Sequence, residues 1–497
     1  MADGPRNVIV VMTDQHRADL TAREGFAVDC TPTLDRLARN GRWFDRAYTT
    51  TPLCVPARIS LLTGRFPNSH GVRGNAGYSD PSRGDDLIDV LGAAGFRTAL
   101  VGKNHSHLTP DRLDHWVEYS HYGRLPPSAS ADKDAEFDNW LRDHPGTTAT
   151  ATPFPVEQQL PARLVNEAID WLDSAGPDDR SFLWLSIPEP HVPYQLPEPY
   201  FSTYTPQTVP SAATTFDELD RRDFSWRYAG RLAQLSGEAE PDVLARARAN
   251  YVGMLRLVDD QLARLVTRLE ESGRLADTLL VVLADHGDFA GEYGLMRKGP
   301  GLPEVLTRIP MVFHGAGVRA DREPSPAHVS IADVLPTICE LVGQPVPTGV
   351  QGRSLVPVLT GASDGTDYAS VYAEQGEGPP YRETDLGEQT PGVRRSADGR
   401  LVIDTVNEVT QAGQRRMVRS GRWKLLAGPV GAPQLFDLSA DPLELTNLTP
   451  RPDVAEILRD LLAKLERWDT GADPAHDGRG TPNDATMPSA SPPCQQA

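Results

Sequence analysis

Cysteine is scarce in this chain, at four residues in 497: Cys30, Cys54, Cys339 and Cys494. They form no C-x-x-C pair, no zinc ladder and no dense disulfide framework. Positive charge is also short, with 49 Lys and Arg against 68 Asp and Glu, a net charge of −19. Such a surface repels DNA, RNA and anionic lipid, so neither nucleic acid nor a membrane is an expected partner. An anionic small molecule in a locally positive pocket is still permitted. No run approaches the roughly 20 apolar residues of a membrane span. The opening segment MADGPRNVIVVMTDQH has no basic region, long apolar core or small-residue cleavage site, which makes a cytoplasmic location the expectation. Also absent are the G-x-x-x-x-G-K-[ST] phosphate loop, the H-E-x-x-H zinc helix and the G-x-S-x-G nucleophile elbow. Gly315–Ala316–Gly317 loosely imitates a dinucleotide fingerprint, but Asp321–Pro326 breaks the helix that fingerprint needs.

What the chain does have is a 39% apolar content, enough for a sizeable core. Five short apolar runs read as buried strands: Val8–Met12, Thr98–Val101, Phe182–Ile187, Thr278–Ala284 and Ile309–Phe313. Near-continuous apolar strands belong to a largely parallel sheet covered on both faces. Helices are expected at Thr33–Arg39, Ala57–Thr63 and about Val243–Leu269, the last with an apolar stripe from Tyr251 to Val266. The alternation argues an α/β sandwich with a large, mostly parallel central sheet flanked by helices. Polar stretches at about 120–155 and 195–240 are expected to be rim loops or small subdomains. Gly361–Pro380 reads as a linker or loop. Beyond it, Gly399–Thr405, Arg416–Arg419, Trp423–Ala427 and Gln434–Phe436 suggest a small antiparallel sheet, covered by a helix carrying Val454 to Trp468. The expected division is a catalytic α/β domain at 1–375, an α+β domain at 376–470 and a disordered tail at 471–497.

Two acidic residues directly follow apolar runs: Asp14, with Gln15 and His16, and Asp285, with His286. In open parallel sheets ligands bind beyond the carboxyl ends of strands. The two carboxylates can therefore share one rim and, with an amide and an imidazole, hold a divalent cation. Taken singly, each aspartate is equally well explained as a turn cap, and Asp288 and Glu292 as solvated or capping loop residues. Cys54 precedes Pro56 at the start of a helix, where unpaired amides lower a thiol pKa. Arg58, one turn on, can point to the same place and steady an oxyanion. A buried apolar cysteine beside a surface arginine fits the residues as well.

The run Cys54–Val55–Pro56–Ala57–Arg58, continuing into LLTGR, resembles the C-x-P-x-R maturation signature of the type I sulfatases, members of the alkaline-phosphatase-like superfamily. Its place between VIVVMTDQ and LVVLADHGD carries the resemblance, as do the RSGRWKLL and LFDLSADPLELTNL segments. It spans about Asn7 to Trp468. The resemblance implies that a separate generating enzyme oxidises Cys54 to formylglycine. It also implies that Asp14, residue 54, Asp285 and His286 bind one divalent ion, with Gln15 adding an uncharged oxygen. Calcium is the expected ion, with manganese or magnesium as alternatives. Arylsulfatases usually carry Asp-Asp at the first pair, and the Asp14–Gln15 form resembles the choline-sulfatase and phosphonate-monoester-hydrolase branches.

Lys103 and His105 match the family's K-x-H, His191 its P-H-x-P-like element, and Lys298 the lysine beyond the Asp-His pair, with Arg297 a close competitor. Read alone, Lys103 is a solvated turn residue, His105 or His107 a hydrogen-bonded loop histidine, His191 a brace for two prolines and Lys298 a partner for Glu292. Jointly they make a cationic pocket in an acidic protein. The implied reaction is hydrolysis of a small sulfate ester, in which a hydroxyl of hydrated formylglycine-54 attacks sulfur near Asp285. His191 or Lys298 serves the leaving oxygen, and His105 assists loss of sulfate from the second hydroxyl. Arg58 orients the nucleophile, and Lys103 holds the sulfate. Hydrolysis of phosphonate monoesters or phosphodiesters is the alternative, and a catalytically silent anion-binding protein ranks third. Specificity is expected from the two polar stretches and from residues near Asn75, Tyr78 and His107. Tyr194, Trp226 and Tyr228 are candidates for an apolar wall, with ordinary packing preferred for the last two. A homo-oligomer is compatible with the chain.

Overall fold

The computed structural model describes residues 4–75, 80–129, 132–176, 178–387, 389–395, 401–428 and 431–469. The tail expected at 471–497, with Cys494, and Tyr78 lie outside them. The main sheet has eight strands: β1 (Asn7–Thr13), β2 (Arg42–Trp43), β3 (Phe96–Gly102), β4 (His115–Ser120), β5 (Gly123–Leu125), β6 (Arg180–Ile187), β7 (Thr278–Ala284) and β8 (Met311–Gly315). Their spatial order is β2-β8-β7-β1-β6-β3-β4-β5. The five central strands β7, β1, β6, β3 and β4 run parallel, and antiparallel strands close both edges. All five expected strands are present, with Thr278–Ala284 matched at both ends and no end displaced by more than two residues. β5 is a departure, because it adds an edge strand from a stretch expected to lie on the rim.

Alternation within the apolar runs explains why both faces are covered. Val8, Val10, Met12, Phe182, Trp184, Leu279 and Val281 pack on one side, with Leu61 and Leu62 of α2 (Cys54–Thr63). Ile9, Val11, Leu183, Leu185, Leu280 and Val282 pack on the other, where α3 (Leu160–Asp173) and α4 (Pro241–Glu271) bury Leu164, Val165, Leu262 and Leu265. α1 (Pro32–Arg39) joins that side through Leu34 and Leu37. Asp259 of α4 accepts from the backbone N–H groups of Thr33 and Leu34, at 2.8 and 2.9 Å, and so caps α1 from outside.

The second sheet has four antiparallel strands, β9 (Ser370–Gln375), β10 (Arg415–Ser420), β11 (Trp423–Ala427) and β12 (Gln434–Asp437), in sequence order. Helix α5 (Ala455–Asp469) covers it through Leu461, Leu465 and Trp468. Two expectations are corrected here. Gly361–Pro380 contains β9, which pairs along six residues with β10. Of the strand expected at Gly399–Thr405, residues 399–400 lie outside the described residues, and Leu401–Ile403 pair with Val393–Arg395 in a separate ribbon. Three residues cannot compete with the six-residue, largely buried β9 for that edge. No helix among the described residues is long and apolar enough to cross a membrane.

Candidate active site

The register of the parallel strands builds the site. Thr13 at the end of β1 is level with Ile187 on one neighbour and Ala284 on the other. The next residues emerge together, with Asp14 N–H donating to Ile187 O (3.1 Å) and Asp285 N–H to Thr13 O (3.2 Å). β3 ends beside β6 in the same way, and Lys103 N–H donates to Ser186 O at 2.9 Å. Gly102, at φ +117°, permits this approach, since a Cβ there would stand 1.9 Å from Ser186 O.

Helix α2 brings the fourth element. It starts at Cys54, three residues before the expected Ala57, and all ten of its residues are buried. Pro56 suits the first turn, and Gly64 at φ +63° closes the other end. Leu53 has no capping side chain, and Asn75 Oδ1 instead accepts from Val55 N–H at 3.1 Å.

Asp14, Cys54, Asp285 and His286 form one buried cluster whose ligand atoms all lie within 4.8 Å of one another. That is the span of two ligands about 2.4 Å to either side of a single ion. Cys54 Sγ is 3.3 Å from His286 Nε2 and 3.7 Å from Asp14 Oδ1. His286 Nδ1 is 2.8 Å from Gly287 O, a partner that accepts only, so Nδ1 carries the proton and the Nε2 lone pair faces the cluster. Two carboxylates, one imidazole nitrogen and the position-54 side chain therefore fit a divalent metal ion.

Arg58 departs from the oxyanion-steadying role. Its guanidinium donates to Asp285 Oδ2 (3.0 Å), Asp14 Oδ2 (3.3 Å), Lys103 O (2.9 Å) and Ser186 Oγ (2.6 Å). With no exposure and its donors turned inward, it clamps the two acids. Lys103 Nζ pairs with Asp14 Oδ2. Lys298 Nζ donates to Gln15 Oε1 at 2.7 Å and lies 3.1 Å from His191 Nε2. Arg297, the competitor, sits at φ +65° and pairs with Glu238 instead. His107 is the hydrogen-bonded loop histidine, 2.6 Å from Asp86 Oδ2.

Burial governs the electrostatics, and the neighbours set its outcome. Burial and Asp14 push the Cys54 thiol up, but Lys103, Lys298 and His286 together hold it well below the ordinary thiol value. Burial would raise Asp14, yet Lys103, His191 and Arg58 hold it well below the usual carboxylate range. Asp285 moves up instead, through burial and the charge of Asp14. Burial opposes the charge on Lys298, but Cys54, Asp14 and Asp285 raise its pKa. His105 falls to about 4 through burial and the Lys103 charge.

A cavity of about 430 Å³ opens over Lys298 and His191. Gln15, Leu53 and Asn75 form its inner wall, and residues 404–411, far along the chain, supply the outer wall. Tyr194, Trp226 and Tyr228 do not line it. Tyr194 is buried against Asp288, Trp226 packs on Phe289 and Tyr293, and Tyr228 donates to Pro391 O.

The sequence reading missed several members of the site. His121, on the β4–β5 turn, stacks on His191 with ring centroids 3.7 Å apart and meets the edge of His105. Burial and His191 hold its pKa well below the usual histidine value. Ser186 was also passed over, and Asn75, expected only near the residues that set specificity, additionally holds the start of α2. Only Ser186, polar within an apolar strand, left a signal in the sequence.

This arrangement defines the class: a metal-associated hydrolase of the alkaline-phosphatase/sulfatase superfamily with a Cys-centred active-site cluster. The sulfatase family profile matches residues 6–344, and the chain belongs to that family. It is similar to an arylsulfatase from Clostridium perfringens, 26% identical with 92% of this chain and 93% of that protein covered. It is also similar to a choline-sulfatase from Rhizobium meliloti, 28% identical with 91% and 84% covered. Among solved structures, a phosphonate monoester hydrolase from Silicibacter pomeroyi shares the fold, with a TM-score of 0.76, 22% identity and 93% and 95% covered.

Proposed function

We propose that this chain hydrolyses sulfate esters of small alcohols, with an oxidised side chain at position 54 as the nucleophile. One observation carries the reading: Cys54 stands at a helix start within 4.8 Å of Asp14, Asp285 and His286 ligand atoms. Those four residues would hold one divalent ion, calcium by preference and manganese or magnesium otherwise. Gln15 can add its amide oxygen through the lone pair that Lys298 leaves free. When bound, the ion offsets the negative charge of the ester oxygens and favours ionisation of the nucleophilic hydroxyl. A formylglycine hydrate at position 54, made by a separate generating enzyme, supplies one hydroxyl to attack sulfur and a second whose deprotonation expels sulfate.

The remaining work falls to side chains of this chain. Arg58 keeps Asp14 and Asp285 together and so fixes the place of the nucleophile. Lys103 and Lys298 bring positive charge to the ester oxygens, where charge grows as the bond breaks. His191 Nδ1 donates to Val192 O at 2.7 Å, which leaves Nε2 as the acceptor for Lys298. The proton for the departing alcohol oxygen therefore belongs to the Lys298–His191 pair, with Lys298 as its source. His105, neutral above about pH 4, takes the proton from the second hydroxyl.

Mass spectrometry of the peptide spanning Cys54, with metal analysis of the same sample, tests the proposal in protein co-produced with a generating enzyme. The expected result is an aldehyde or its hydrate and one divalent ion per chain. Cys54→Ala should bind substrate without turnover, and full metal-dependent turnover in that variant would end the proposal. The Asp14–Gln15 pair, which resembles the phosphonate-monoester-hydrolase branch as well as the choline-sulfatase branch, supports a second reading, hydrolysis of phosphonate monoesters, which have the same tetrahedral shape. Paired sulfate and phosphonate esters of one alcohol decide, the larger kcat/KM identifying the native chemistry.

A further inference from the structure

Asp288 lies outside the four-residue cluster and is fully buried. Three donors occupy its carboxylate. Oδ2 accepts from Gln15 Nε2 at 2.6 Å and from Tyr194 OH at 2.8 Å, and Oδ1 accepts from Ala290 N–H at 2.7 Å. A carboxylate only accepts, so it selects the NH2 end of the Gln15 amide and turns the oxygen the other way. That oxygen receives Lys298 Nζ at 2.7 Å, and the same Nζ is 3.1 Å from His191 Nε2. The backbone of Gln15 is held as firmly. At φ +64° it occupies a region that side-chain-bearing residues rarely adopt. Its N–H donates to Asp285 Oδ1 (3.0 Å), and its carbonyl accepts from Tyr251 OH (2.6 Å).

We infer that Asp288 is a positioning residue that sets the orientation of the Gln15 amide and, through it, the direction of the Lys298 ammonium. The inference rests on the reading of Lys298 as the group serving the leaving oxygen. It has a consequence particular to this chain. The accepting oxygens at 288 and the amide at 15 form a complementary pair, joined by one hydrogen bond. Exchanging their chemistry, as Gln15→Glu with Asp288→Asn, keeps one carboxylate, one amide and the bond between them.

The test compares Asp288→Asn, Gln15→Glu and the double variant. In Asp288→Asn an NH2 group can face the Gln15 NH2, and the Gln15 oxygen loses its fixed direction. Outer-shell partners of this kind are worth about 10- to 100-fold. We expect kcat on an ester with a poor leaving group to fall by about that factor, with a smaller loss on a good leaving group. The calcium dissociation constant, read by chelator competition, should rise about tenfold through the Gln15 oxygen. The double variant should recover most of both losses, which simple damage to packing would not allow. Unchanged leaving-group dependence and unchanged calcium affinity in Asp288→Asn would overturn the inference, as would a double variant no better than the worse single. Should Asp288→Asn not fold, Tyr194→Phe removes one donor to the same carboxylate. It is expected to show a weaker form of the same selectivity, and wild-type behaviour would count against the inference. A wild type without sulfate-ester turnover sinks the proposed reaction instead, and the calcium measurement still tests the Asp288–Gln15 pair.

Discussion

Lys424 offers the sharpest test of how the second sheet supports the site. It is fully buried in β11, with Nζ 2.9 Å from Glu304 Oε1 and 2.9 Å from Glu444 Oε1. Lys424→Met keeps the apolar stem and deletes the charge. Glu304 retains Arg419 at 3.1 Å and Tyr48 OH at 2.8 Å, so it is largely spared. The loss falls on Glu444, whose Oε1 has no hydrogen-bond partner other than that lysine among the described residues. Breaking a buried ion pair from one side costs about 3–5 kcal/mol, and the surviving contacts of Glu304 favour the lower end, about 3 kcal/mol. The damage should travel. Glu304 opens the short helix Glu304–Thr307, and Leu306 O of that helix accepts from Gly287 N–H at 2.9 Å, next to His286. Guanidinium unfolding followed by tryptophan fluorescence measures the loss at pH 7. Glu444 already titrates above the usual carboxylate range through burial, and removing Lys424 raises it further. The penalty is therefore present above the unfolded carboxylate pKa and shrinks as pH falls toward it. Lys424→Met/Glu444→Gln should recover more than half of the loss. A single variant within about 1 kcal/mol of wild type, or a double variant equally unstable, would refute the reasoning.

Three further outcomes are expected. In Gly287→Ala the new Cβ would stand 2.0 Å from Val305 O, a backbone atom that no rotamer change can move away. A cost of about 1–3 kcal/mol and a displaced His286 should follow, read as weakened calcium binding by calorimetry. Glu374 is buried and pushed up to about 7 by desolvation, so wild-type stability should decline as pH rises from the unfolded glutamate value through about 7. Glu374→Gln removes that slope, of order 3 kcal/mol in total, and parallel pH–stability curves would contradict it. His121→Phe preserves the ring on His191 and should keep kcat nearly intact, whereas His121→Ala loses about 0.5–1.5 kcal/mol, up to about tenfold. Equal kcat in all three proteins would show that the stack does nothing for turnover.

Much of the fold and part of the site could be read before any coordinates. The central strands announce themselves because burial on both faces demands unbroken apolar runs, and Asp14 and Asp285 stand where those runs stop. Pro56 marks a helix start between Cys54 and Arg58, but a buried apolar cysteine beside a surface arginine fits that pattern as well, and the C-x-P-x-R resemblance is what pointed the pair at the site. Other features leave no local trace. β9 was hidden in a Gly-rich segment, where its sequence SVYAEQ mixes apolar and polar residues. His121 belongs to a hairpin turn, and only the folded sheet brings it against His191. The orientation-setting role of Asp288 depends on which end of an amide faces it, and sequence carries no record of that. Arg58 was expected beside Cys54 to steady an oxyanion and orient the nucleophile; which groups its guanidinium holds was not legible, because its four acceptors come from four separate parts of the chain.

The outer wall at 404–411 belongs to a stretch of chain remote from every member of the metal cluster. On the proposed reading, bond breaking and choice of alcohol thus fall to different parts of the chain. Replacing that short stretch would retune which molecules are admitted while Asp14, Cys54, Asp285 and His286 keep their places.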